Sequence, residues 1–214
     1  VETALRIFRE DGYEKTTMRR IAHEAGLSVG NAYYYFDGKD ALVQELYRQI
    51  QIDHRDRALP LLRQGASLAT NLRTVLHTGL DTMAPYHSFG TTMLATALSP
   101  TATVSPFSSA SAEPRETATA LMGYAVRTSS GMPTGALGER LPHLLWLAYL
   151  GVTVHWVTDT SAGQRRTRDL VDGLAPLIGK AVRLTRIPGG RALAADVVAL
   201  LDRSLPPTSQ EPTP

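Results

Sequence analysis

Six histidines, a serine-rich stretch and a run of three tyrosines are the residues of this 214-residue chain that could carry chemistry. His77 and His87 stand ten residues apart, and His143 and His155 twelve apart. Neither is the four-residue spacing that clamps a metal on one helix face. The absence of cysteine removes disulfides, thiolate zinc sites and cysteine nucleophiles, and it fits a reducing compartment. Ser99–Glu113 is rich in Ser, Thr, Ala and Pro but holds no nucleophile elbow. No metal, cofactor or enzymatic activity is therefore expected. Tyr33, Tyr34 and Tyr35 would point about 100° apart on a helix, so they cannot share one role. Tyr35 is expected to pack together with Phe36, while Tyr33 and Tyr34 divide between packing and contact with a partner. The densest basic run, Gln164–Arg168, opens a helix where its charge opposes the dipole, and it reads as a solvated face or dimer rim.

The elements that must position these residues are helical almost throughout. Ala4, Leu5 and Phe8 form one face of a first helix that stops at Asp11-Gly12, where glycine suits a left-handed turn. Thr17 can cap a helix over Met18–Ala25, with Ile21, Ala22 and Ala25 on one face. After the turn Gly26-Leu27-Ser28, Ser28 can cap a third helix over Val29–Tyr35. A long helix then runs from about Lys39 to Leu59. Two short helices joined by a glycine turn and braced by a third describe a helix-turn-helix. Further helices are expected at Leu68–Ala84, His87–Leu98, Pro114–Ser129, Glu139–Asp159, Gln164–Arg186 and Arg191–Leu205. Pro142 is expected in a first turn, with loops at Ser99–Glu113 and Thr128–Gly138. The expected fold is all-α: an N-terminal three-helix helix-turn-helix domain (1–47), linked by a long helix to an α-helical C-terminal domain (48–205), and a disordered tail (206–214).

Composition bounds the partners weakly. The net charge is +2, and the first 57 residues hold 9 Lys and Arg against 10 Asp and Glu. Bulk charge thus does not announce nucleic-acid binding. Val1–Asp11 is charged and amphipathic rather than a signal peptide, and the apolar run Leu141–Val157 suits a buried helix better than a bilayer span. A cytoplasmic protein without membrane association is expected. The sequence opens inside a helical pattern, so more chain is expected before Val1.

The string ALRIFREDGYEKTTMRRIAHEAGLSVGNAYYYFDGKDALVQELY closely resembles the N-terminal domain of the TetR family of transcriptional regulators. Phe8, Gly12-Tyr13, Thr16-Thr17, Ile21-Ala22, Ala25-Gly26, Ser28, Gly30, Tyr33, Tyr35-Phe36, Lys39 and Leu42 fall in order. Leu141–Leu201 also looks like the C-terminal helices of some members. The resemblance implies a homodimer that reads a palindromic operator in double-stranded DNA, with release by a small molecule bound in the C-terminal domain. Residue by residue, it implies that Thr17, Tyr33 and Lys39 contact the DNA backbone. Ser28, Val29, Asn31 and Tyr34 approach base edges, Asn31 pairing with adenine and Val29 meeting a thymine methyl. Tyr33 and Lys39 argue against an interaction protein that has lost DNA binding.

Met83, Tyr86, Phe89, Met93, Met122, Tyr124, Trp146 and Tyr149 are spread over the helices that line ligand pockets in that family. Their mix favours an apolar or aromatic ligand, and Arg73 is the only Lys or Arg in Leu68–Leu98. Leu141–Val157 is apolar around most of its circumference, so its own domain cannot cover every face. Leu170, Leu174, Leu177, Ala181 and Leu184 make a stripe on the next helix. Dimerisation is therefore expected through a four-helix bundle of Glu139–Asp159 and Gln164–Arg186 with their symmetry mates. Of the two tryptophans, about 80° apart around one helix, Trp146 is expected to face the ligand and Trp156 the dimer contact.

Overall fold

A computed structural model describes residues 1–97 and 102–204. The chain starts with α1 (Glu2–Asp11), which buries Ala4, Leu5, Ile7 and Phe8 and stops at Gly12, whose φ of +85° costs a glycine little. Thr17 opens α2 (Met18–Glu24): its Oγ1 accepts the Arg20 N–H at 3.2 Å. Ser28 opens α3 (Val29–Tyr35) in the same way, accepting the Asn31 N–H at 3.1 Å. These caps satisfy amide groups that every helix start leaves unpaired. α4 (Lys39–Ala58) runs unbroken from this head into the remainder of the chain.

The body consists of α5 (Leu68–Met83), α6 (His87–Ala97), α7 (Ala112–Thr128), α8 (Ala136–Thr158), α9 (Arg165–Leu184) and α10 (Pro188–Ser204), with short 3₁₀ turns after α4, after α5 and before α9. Among the described residues there is no strand, so the all-α expectation holds. α5 lies at the centre, with Leu72, Val75, Leu76 and Leu80 buried. Leu98 at the end of the expected helix His87–Leu98, residues 99–101 of the expected Ser99–Glu113 loop, Leu205 and the expected tail 206–214 lie outside the described residues.

Two local expectations are corrected. The loop after α7 is shorter than Thr128–Gly138, because α8 already starts at Ala136. Pro142 therefore occupies the seventh position of α8 instead of its first turn. A proline there withholds the N–H that the carbonyl four residues earlier would accept. That carbonyl belongs to Gly138, whose lack of a side chain lets the Pro133 carbonyl press in: a Cβ would lie 2.5 Å from it. Pro176 inside α9 similarly frees the Asp172 carbonyl, and Arg73 of α5 donates to it at 3.2 Å. α5 and α9 are thus pinned by a bond that α9 cannot make for itself.

The corner between α8 and α9 is held by one buried carboxylate. Asp159 accepts from Ser161 N and Oγ at 2.9 and 2.6 Å, and from Thr167 N and Oγ1, both at 2.8 Å. Desolvation pushes its pKa up, but these four bonds outweigh that and hold it well below the usual carboxylate range.

Two contacts key head to body. Phe8 of α1 stacks on Phe89 of α6, with centroids 5.6 Å apart and planes 14° off parallel. At the start of α4, Asp40 accepts from the Tyr13 hydroxyl and from Thr103 Oγ1, while Gln44 Nε2 donates to the Thr103 carbonyl at 2.6 Å. Among the described residues, no helix is long and apolar enough to cross a membrane.

Candidate functional site

In the head, α3 is held by a single buried residue, Ala32, and everything else on it faces out. Tyr34, two positions and about 200° further round, points almost directly away and is 81% exposed. Asn31 and Tyr33 flank Ala32 by about 100° on either side, and both are exposed. Ser28 and Val29 complete an outward surface. Tyr35 does not pack as expected: it is exposed and meets Tyr34 edge-on at 5.1 Å. It is the last residue of a helix whose C-cap, Phe36, is already extended, and only Phe36 turns back onto the core.

A concavity of about 550 Å³ between α2 and α3 is lined by Thr17, Arg19, His23, Ser28 and Val29, among others. Arg19 thereby joins the outward surface. Arg20 is tied to Asp11 and Glu24. Lys39 lies close by, but its ammonium already donates to the Tyr13 carbonyl at 2.6 Å and sits 4.4 Å above the Tyr13 ring. It braces the α1–α2 turn while remaining partly exposed.

In the body, Met83, Phe89, Met122, Trp146 and Tyr149 are buried. Tyr86 and Met93 are partly buried against the same core. Tyr124 does not join them: it is 40% exposed, with the Arg127 guanidinium 5.9 Å from its ring. Tyr149 presses against the α5 backbone at Gly79, where a Cβ would lie 2.5 Å from its hydroxyl. Three α4 residues face this set and were not singled out from sequence: Tyr47, Gln51 and His54. Their signal is a spacing of four and three on one helix face, alongside the apolar Leu46 and Ile50. Tyr47 hydrogen-bonds the Trp146 side chain, and burial pushes its phenol up to about 12. His54 Nε2 lies 2.8 Å from the Val75 carbonyl, and its ring is 5.4 Å from that of Tyr149.

Two family models match this chain. The one for bacterial regulatory proteins of the tetR family covers residues 1–46. The one for the tetracyclin repressor-like C-terminal domain covers residues 71–196, more than half of the chain. The chain belongs to the TetR family. This TetR-family chain is 28% identical over 88 residues to the HTH-type transcriptional repressor KstR2 of Rhodococcus jostii (strain RHA1), a match covering 41% of this chain and 43% of that protein. It is 33% identical over 79 residues to the HTH-type transcriptional regulator BetI of Brucella abortus (strain 2308), covering 33% and 40%. The matches thus span less than half of those relatives' length. In fold it is similar to the fatty acid degradation regulator FadR from Bacillus halodurans, with a TM-score of 0.56 at 14% identity, covering 81% of this chain and 90% of that one. Family members are transcriptional regulators rather than enzymes.

On the far side of this TetR-family body, Leu170, Leu177, Ala181 and Leu184 of α9 are exposed, whereas Leu174 is half-buried against the core. Trp156 does not belong with them. It is 3% exposed in the single chain, with His87 edge-on to its ring at 4.7 Å and Gly90 close against it. Its own α6 covers it, leaving nothing for a partner to touch.

Burial gives His54 a pH signature. Desolvation pushes its pKa down to about 4, against a smaller upward pull from the Val75 carbonyl. The unfolded chain takes up this proton near pH 6.5, so folded-state stability is full above that value and falls as the pH drops towards 4. The loss amounts to roughly 3 kcal/mol. Urea melts at pH 7 and pH 4.5 should show that slope, and His54→Phe should flatten it by a comparable amount. An unchanged slope in the variant would place the titrating group elsewhere.

Proposed function

We propose that this TetR-family chain is a repressor that binds an inverted-repeat operator in double-stranded DNA as a homodimer and leaves it when a small apolar or aromatic molecule binds the body. The outward face of α3 carries the reading: a short helix fixed by one buried alanine presents Ser28, Val29, Asn31, Tyr33 and Tyr34 together, as a major-groove reader requires. Asn31 offers the donor–acceptor pair that suits adenine, and Val29 an apolar contact for a thymine methyl. Thr17, at the positive end of α2, is placed for a phosphate. Tyr33 and Lys39 take the backbone: with one proton on the Tyr13 carbonyl and one on the Glu14 carbonyl, the Lys39 ammonium keeps a third for a phosphate. α8 and α9 pair with their symmetry mates, which sets the two α3 helices about 34–36 Å apart on the DNA. The site of action is the cytoplasm. The effector enters around Met83, Met122, Trp146 and Tyr149, and the Phe8–Phe89 stack lies between that core and the head.

Selection from random duplex DNA should return an inverted repeat. Asn31→Ala should relax preference at one base pair per half-site, by about 1–3 kcal/mol. Lys39→Ala should weaken every sequence alike. A selected motif without two-fold symmetry would overturn the reading, and a base-specific effect of Lys39→Ala would invert the roles.

A further inference from the structure

The α4 residues behind Tyr149 leave hydrogen-bonding capacity unused in a place water does not reach. His54 is 1% exposed. Its Nε2 faces the Val75 carbonyl at 2.8 Å, and a carbonyl only accepts, so Nε2 carries the proton. The neutral ring then presents Nδ1 as a lone-pair acceptor, and no donor reaches it. One turn earlier on the same face, Gln51 is equally buried and leaves its Oε1 without a partner. Across from them the Tyr149 hydroxyl has a sulfur, Met83 Sδ at 3.7 Å, as its acceptor, a weak one. Native interiors rarely leave such groups unpaired, because desolvation is not repaid. Three buried groups thus lack proper partners, two acceptors on one face of α4 and one donor on the ring packed 5.4 Å from His54.

We propose, building on the effector reading above, that the effector is an uncharged apolar molecule bearing a hydroxyl group, received by Gln51, His54 and Tyr149. A hydroxyl both donates and accepts, so it serves the acceptors of α4 and takes the Tyr149 proton at once. A carboxylate, which only accepts, would face two further acceptors with no cation to meet it. Arg115, whose charge reaches Tyr47, turns its Nη1 to the Pro106 and Ser108 carbonyls instead. An ammonium would find no carboxylate among Tyr47, Gln51, His54, Met83, Trp146 and Tyr149. The apolar body of the molecule lies against Met83 and Trp146.

The test uses the full chain without DNA and three matched pairs: 4-ethylphenol with ethylbenzene, benzyl alcohol with toluene, and cyclohexanol with methylcyclohexane, plus benzoate. At least one alcohol or phenol should bind tenfold or more tightly than its hydrocarbon partner in calorimetry. The same probe should move the ¹⁵N resonance of His54 Nδ1 in the unaltered protein. His54→Phe, shown folded by circular dichroism, should lose the tenfold preference while still taking up the hydrocarbon. Equal binding within every pair, tightest binding of benzoate, no binding at all, or an unmoved Nδ1 resonance overturns the proposal. Operator binding measured on the same sample keeps the two readings apart. An intact palindrome preference with no hydroxyl preference sinks only this inference; the reverse sinks only the regulator reading.

Discussion

Leu177→Glu is expected to turn the protein into a monomer at micromolar concentration, with an unchanged far-ultraviolet spectrum. Leu177 is 61% exposed in the single chain, so a charge there costs the fold of one subunit little. In a two-fold interface the same change occurs twice and buries two unpaired carboxylates of like sign. At about 2–3 kcal/mol each, the dimer dissociation constant should rise by roughly three to four orders of magnitude. Sedimentation velocity reads the mass directly. Operator affinity should fall with it, because the half-sites are then bound one at a time. A variant that remains dimeric would place the interface on another face.

Phe89→Ala should be among the most destabilising single changes. The ring is 1% exposed and stacked on Phe8 across the junction of head and body. Truncating a buried phenylalanine costs about 3–5 kcal/mol, part of it the cavity left behind. For a chain of this size that lowers Tm by roughly 6–20 °C. Phe107→Ala is the control: this ring is largely exposed and meets Trp146 edge-on, so its loss should shift Tm far less. Comparable shifts in the two variants would mean that the Phe8–Phe89 stack carries no special share of the stability.

The head was legible because its signals are local. Thr17 and Ser28 cap the helices they precede, and Gly26 adopts the positive φ of a turn. Each of these follows from a residue and its neighbours within four positions. The body was legible in its elements but not in their rotation. α8 is apolar nearly all round, so its sequence carries no phase. Trp156 was therefore set on an outer face, although α6 covers it. Tyr124 was counted with the core because a tyrosine on an amphipathic helix can face either way, and only packing decides. The polar α4 residues Gln51 and His54 carry the opposite problem. Polarity reads as solvent from sequence, and their burial depends on α5 and α8 arriving from 20 to 100 positions away.

One consequence follows from what α3 lacks. Between Val29 and Tyr35 it has no Lys or Arg, and the head around it holds no excess of positive charge. Non-specific affinity for DNA comes almost wholly from displacing counterions from phosphates, and it grows with the number of cations brought to the backbone. An α3 face built of hydroxyls, an amide and aromatic rings displaces few, so cations outside α3, Arg19 and Lys39 among them, would have to carry that share. On the operator reading proposed above, α3 itself then adds little to the affinity for wrong sites. The discrimination that α3 supplies would then rest on the match in the groove, and its share of binding would depend little on ionic strength.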